Sequence, residues 1–192
     1  MDSHTAFVAV AWVLCVAAVA LLIDSARRAE LGWRLLARVV SRHWVSMWLL
    51  ERAMQTPYTP VMSADGSEVY MERWWLFNAY DPGTYKARHS WCPISVRVHL
   101  IKQPDGDRHL HDHPWNARSI ILSGGYVEQR PGNRFYVRRP GDTVALKFGE
   151  YHRITNVRPF GALTLFITGG YRGQWGFWVD GAKVPWREYE RQ

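Results

Sequence analysis

The chain has 192 residues, a formal charge of +7 and eleven tryptophans. That length accommodates one domain with an appendage, and two cysteines, Cys15 and Cys92, exclude a disulfide-built scaffold. The basic balance, with no nucleic-acid motif beside it, reads as a solvated surface near an anionic membrane and not as DNA or RNA binding.

Residues 6–23, AFVAVAWVLCVAAVALLI, contain no charged side chain. About 18 such residues suffice for a spanning helix. Ahead of them stands Asp2 and no Lys or Arg, whereas Arg27, Arg28, Arg34, Arg38 and Arg42 follow. A cleaved secretory signal needs the opposite arrangement. Residues 1–25 are therefore predicted to be a single-pass anchor in the inner (cytoplasmic) membrane, with the N-terminus outside and the rest of the chain cytoplasmic.

Residues 26–55 are predicted to form one amphipathic helix. Arg34, Arg38 and Arg42 recur every four residues as a basic stripe, and Leu36, Val40, Trp44 and Met47 lie largely off it. Such a helix can lie in the lipid headgroups or pack its apolar face onto a following domain. Pro57 and Pro60 then break the pattern, and residues 56–66 are predicted to be a linker.

From residue 67 to residue 192 short β-rich runs alternate with Gly, Pro, Asp and Asn clusters, the texture of an all-β barrel or sandwich. Between Ile94 and Ile101, Val96, Val98 and Leu100 face one way and Ser95, Arg97 and His99 the other. Runs at 119–122, 126–129, 134–138, 143–148, 151–155, 163–168 and 174–179 continue the pattern, with Pro131-Gly132-Asn133 as a hairpin turn. The aromatic tail, residues 173–189, is expected either to cap the barrel or to join two copies as a homodimer.

His111 and His113 are two residues apart, so on a strand they share a face. His152, from a later strand, could complete a three-nitrogen site with positions open to substrate. His109 has the same parity and His99 lies on the Arg97 face. Both are expected to orient a ligand from behind or to line the pocket. Arg97 and Arg118 are expected to bind a polar or anionic substrate, and Trp115 to form the pocket rim.

The motifs around these histidines resemble those of the cupin superfamily, small jelly-roll barrels. The first cupin motif is G-x5-H-x-H-x(3,4)-E-x6-G. His111, His113 and Gly124 fall in register, and Gly106 is one residue late. The second is G-x5-P-x-G-x2-H-x3-N, met by Gly141, Gly149, His152 and Asn156, with Lys147 at the proline. The frame spans residues 95–168, and 16 residues separate the motifs. The motif glutamate, often a metal ligand, falls on Ala117; Asp112, Glu128 and Glu150 are the substitute carboxylates.

The resemblance implies a cupin barrel behind a transmembrane and an amphipathic helix, holding a divalent metal on His111, His113 and His152. Without the glutamate the site is similar to that of thiol dioxygenases, which favours Fe(II) over Zn, Ni, Mn or Cu. The expected activity is a mononuclear oxygenase on a small polar or anionic molecule. The alternative is a non-catalytic cupin module that binds a small molecule, sugar or protein partner at the membrane face.

Overall fold

The structure, a computed structural model, describes residues 26–63, 65–81, 84 and 86–189. The predicted spanning segment, residues 6–23, lies outside the described residues. Among those described, no helix is long and apolar enough to cross a membrane.

The first large sheet contains β1 (Pro57–Met62), β2 (Val69–Phe77), β3 (Ser95–Ile101), β5 (Trp115–Ser123), β8 (Thr143–Leu146) and β10 (Ala162–Tyr171). Its order is β1-β2-β3-β10-β5-β8, and every neighbouring pair is antiparallel. Two smaller sheets face it. One joins β4 (Leu110–His111), β11 (Gly176–Val179) and β12 (Ala182–Pro185); the other joins β6 (Tyr126–Arg130), β7 (Arg134–Arg138) and β9 (Arg153–Val157). A bridge between His111 and His152 links the two smaller sheets into one layer.

Strand parity separates two environments. On one face of the large sheet Val98, Ile120, Leu122, Leu163 and Leu165 pack under two helices. The other face carries Arg97, His99, Ala117, Ser119, Thr164 and Phe166, all buried and turned toward the second layer. Ile101, Ile121 and Ala162 meet Tyr126 and Ile154 of that layer in a second apolar cluster. The barrel interior is thus apolar at its ends and polar in the middle, where unpaired polar groups would be costly.

The segment expected as one helix over 26–55 is two, α1 (Ala26–Val40) and α2 (His43–Met54). Ala37 and Val40 of α1 and Val45, Leu49 and Ala53 of α2 are buried against the sheet. An unbroken helix would carry the Ala37/Val40 face on to Trp44, four residues later. Trp44 is instead 75% exposed. The extended residue Arg42 (ψ 133°) re-phases the chain so that Val45 faces inward. Both helices therefore belong to the domain core, and the apolar face packs on the barrel.

The expected linker at 56–66 is mostly strand. Pro57–Met62 forms β1, paired with β2. Two prolines fit there because β1 is an edge, where missing N–H donors break no ladder. At the far end, β5 turns into β6 through Gly124. Its φ is +72°, and a Cβ added there would stand 2.0 Å from the Gly161 carbonyl oxygen. That close approach explains the glycine.

Candidate metal centre

The His111 amide donates to the His152 carbonyl and the His152 amide to the His111 carbonyl, both at 2.9 Å. This reciprocal pair of hydrogen bonds fixes the backbones that carry two of the three imidazoles. Two residues on, His113 brings its Nε2 to 2.9 Å from Nε2 of His152. One ligand nitrogen from each of the three lies within 4.8 Å of the other two. Two imidazole nitrogens bound at about 2.1 Å and at right angles on one ion stand about 3.0 Å apart. The donor set and its spacing therefore fit a divalent cation.

Two of the three rings have a carboxylate behind them. Nδ1 of His152 lies 3.1 Å from Oε1 of Glu128, and Nδ1 of His111 lies 3.8 Å from Oδ2 of Asp105. Carboxylates at Nδ1 leave Nε2 for a metal and keep the ring in one orientation. Glu128 has no exposed surface and is clamped by Arg130 at 2.7 Å and Arg138 at 2.5 Å. Burial pushes its carboxyl up. The hydrogen bond and charge of His152, with Arg130 and Arg138, outweigh that and hold it at about 2. Asp105 is fixed by the Tyr70 hydroxyl and by the Ile154 amide, which donates at 2.6 Å.

Burial keeps the His111 and His113 imidazoles neutral, the form that binds metal. For His111 it lowers the pKa to about 4, opposed by Asp105 and aided by His152. His113 is pushed well below the usual range by burial, then by its neighbours His152, His111 and Arg97.

Aromatic rings close the site. Trp115 stacks on His113 at 6.2 Å, and Phe166 meets the same ring at 5.7 Å. Trp175 and Phe177 stand 6.1 Å and 6.0 Å from His111. The tail is folded onto the barrel here: Trp175 stacks on Trp186, and Phe177 on Tyr189 of the short helix α3 (Trp186–Tyr189).

The other residues singled out in the sequence fall in several places. Trp115 and Arg97 lie beside the histidines. His99 faces the same interior and stacks on Phe166 at 4.9 Å, but makes no hydrogen bond through Nε2. His109 does not join the cluster, because β4 is only two residues long and parity does not extend back to it. Its Nδ1 meets the Tyr189 hydroxyl at 3.0 Å.

Arg118, expected to bind substrate, is on the opposite face of the sheet. It pairs with Glu30 of α1 at 2.8 Å and lies over Trp33. Its neighbour Ala117, at the motif glutamate, sits in an apolar group with Leu146 and Phe166. Among the substitute carboxylates, Asp112 points away, accepting from the Gly176 amide and Lys183, and Glu150 pairs with Arg130 near the surface. Glu128 alone reaches a histidine, as an orienting group. Asp105 was missed; its place in the turn Pro104-Asp105-Gly106, just before the first motif, was the available signal.

The antiparallel two-layer barrel, with both motif histidine sets converging inside it, is of the cupin type, and its three histidines could hold a metal ion. No protein-family model and no curated protein matches the sequence. Similar solved structures include the polyketide cyclase RemF from Streptomyces resistomycificus (15% identity, 64% of this chain and 80% of that one, TM-score 0.45). A cupin-like protein from Thermotoga maritima shares 17% identity over 63% of this chain and 83% of its own, with a TM-score of 0.41. EutQ from Clostridium difficile shares 12% over 58% and 75%, with a TM-score of 0.42. These are distant likenesses and say nothing of chemistry.

Proposed function

We propose that the chain is a membrane-tethered, metal-dependent cupin, a mononuclear three-His iron oxygenase acting on a small polar or anionic molecule. The observation that carries this reading is the convergence of three ligand nitrogens within 4.8 Å, with a carboxylate behind each of two rings. A divalent ion there would supply Lewis-acid chemistry or, as Fe(II), oxygen chemistry. His111, His113 and His152 would hold it, and Glu128 and Asp105 orient two of the rings. Trp115, Phe166 and Trp175 exclude bulk water, and Arg97 sits where it can orient an anionic group.

The tether is supported by two features. Residues 6–23 carry no charge. Leu31, Leu35 and Val39 form an exposed stripe on α1, and Arg34, Arg38, Arg42 and Trp44 are exposed as well. Apolar and basic side chains side by side suit an anionic lipid surface. We assign the globular part to the cytoplasmic face on the charge bias around the segment.

Ala117 favours a second reading, a cupin module that binds without turnover. A buried alanine at the glutamate position removes a fourth ligand. The test uses the full chain in detergent, since α1 and α2 complete the core. Elemental analysis is expected to give about one metal ion per chain, lost in His111→Ala. Oxygen uptake after anaerobic Fe(II) loading, against a substrate panel, then separates turnover from binding. Metal content that is substoichiometric and indifferent to His111→Ala would leave the module reading.

A further inference from the structure

Arg97 is 2% exposed, and no ion pair to it is found among the described residues. Four rings surround its guanidinium carbon: Trp115 at 4.9 Å, Trp75 at 5.1 Å, Phe166 at 5.3 Å and Tyr80 at 5.9 Å. Those contacts stabilise the cation through its faces. They satisfy none of its N–H donors. Nη1 donates to the Tyr80 hydroxyl at a long 3.5 Å. Nε and Nη2 are buried with no hydrogen-bond partner.

These two orphaned donors are not a random pair. They form one edge of the guanidinium, where two parallel N–H bonds match the two oxygens of a carboxylate. His99, two residues along on the same face, also buries an Nε2 without a partner. It touches the same Phe166 ring as Arg97 and His113. A planar fork and an imidazole nitrogen, a donor in its Nε2–H tautomer, thus face the barrel interior beside the three clustered histidines. Leaving buried donors unmet costs about 1–3 kcal/mol each, and a charged one more. A fold that retains them is built for an acceptor from outside.

We propose that Arg97 and His99 form a carboxylate subsite, in which a small organic acid accepts two N–H bonds from the Arg97 edge and one from His99 Nε2. The acid extends past Trp115 and Phe166 toward His113. A carboxylate is favoured over a phosphate because one fork meets two oxygens, while the four rings around the guanidinium offer further anionic oxygens no second charge. The next guanidinium, that of Arg73, gives its Nε and Nη2 to the Thr59 carbonyl and is not available. This inference rests on reading the barrel interior as the substrate site.

The test is made on the metal-stripped full chain in detergent, so that it does not depend on the metal. With 15N at arginine Nε, acetate, propionate and benzoate are titrated against acetamide, propionamide and benzamide at constant ionic strength. At least one acid is expected to shift one buried Nε–H signal saturably, its amide leaving the signal in place at tenfold higher concentration. Arg97→Lys, which keeps the charge and loses the fork, should weaken that acid at least tenfold. His99→Phe, which keeps the ring stack, should weaken it several-fold. The inference is overturned by acid and amide acting alike, by no acid binding, or by an unchanged affinity in Arg97→Lys. The wild-type comparison stands even where a variant fails to fold. Retained acid binding with no metal in any preparation would sink the metal reading alone.

Discussion

His111 and His152 hold each other by two reciprocal backbone hydrogen bonds of 2.9 Å, and their rings stand 4.9 Å apart. The same bridge that joins the two small sheets thereby places two of the three clustered histidines. Structure and site share one contact, so the relative placement of these two histidines is set by the layer itself. His113 completes the set from just beyond the bridge, before Pro114 turns the chain into β5.

Glu128, 3.1 Å from Nδ1 of His152, is expected to tune a metal held there. Glu128→Gln removes the charge behind His152 and leaves Arg130 and Arg138 without their buried partner. Loss of such an orienting carboxylate lowers metal affinity by about 10–100-fold. Removing one member of a buried ion pair costs about 3–5 kcal/mol. Chelator competition checks the first effect and denaturant unfolding of the metal-free chain the second. An affinity within twofold of wild type would remove Glu128 from the account of the site.

The metal-free protein should lose stability as pH falls below neutral. His99, His111 and His113 all have folded pKa values below the usual 6.5, that of His111 at about 4. In the unfolded chain they take up protons as pH drops through 6.5, while the folded chain excludes them. Unfolding is then favoured by about 1.4 kcal/mol per pH unit for each such histidine. Denaturant midpoints measured from pH 7 to pH 5 should fall steeply, and less steeply in His99→Phe. A flat profile would show that these rings are not shielded from protonation.

Arg118 should matter to stability and not to the centre. Arg118→Ala frees Glu30, which is 39% exposed, so the loss is under about 1 kcal/mol. The hydrogen bond from Arg118 lowers the Glu30 pKa against burial, and the charges of Arg118 and Arg34 add to it. Because the folded value is depressed, the pair stabilises above the ordinary 4.5 and fades as pH falls through the lower folded value. Melting curves of wild type and Glu30→Gln should converge on acidification, and metal content should be the same in both. A metal-free Arg118→Ala protein would contradict its placement on the outer face.

Gly124→Ala tests the turn that launches β6 toward Glu128. The new methyl group would meet the Gly161 carbonyl oxygen at 2.0 Å, at a φ that side chains avoid. We expect a loss of more than about 2 kcal/mol and, in thermal melts, a midpoint lowered by several degrees. Gly149→Ala has a positive φ of +80° but open space, and should cost less.

Much of the centre was legible in the chain itself. Spacing alone put His111 and His113 together, and the second motif supplied His152, because ligand geometry constrains those intervals. Alternation along residues 94–101 paired Arg97 with His99 on one face, and short runs between turn residues marked most strands. Parity, however, states only which residues share a face, never which face is inward. Strand parity favours Arg97 on the His99 face, and α1 and α2 cover the side of the sheet that carries Arg118 while leaving the Arg97 side for the interior. Likewise β1 was hidden by its prolines, which an edge tolerates, and His109 by the shortness of β4.

The sequence by itself picked out the three imidazoles and the absence of a motif glutamate through the intervals of the two motifs, although of the three only His111 stands in a named strand. Only the tertiary structure decided what stands behind those rings and in front of them. Glu128 on β6, Asp105 in the loop after β3 and Arg97 on β3 reach the site from different elements. Long-range packing, which no local pattern encodes, sets their distances.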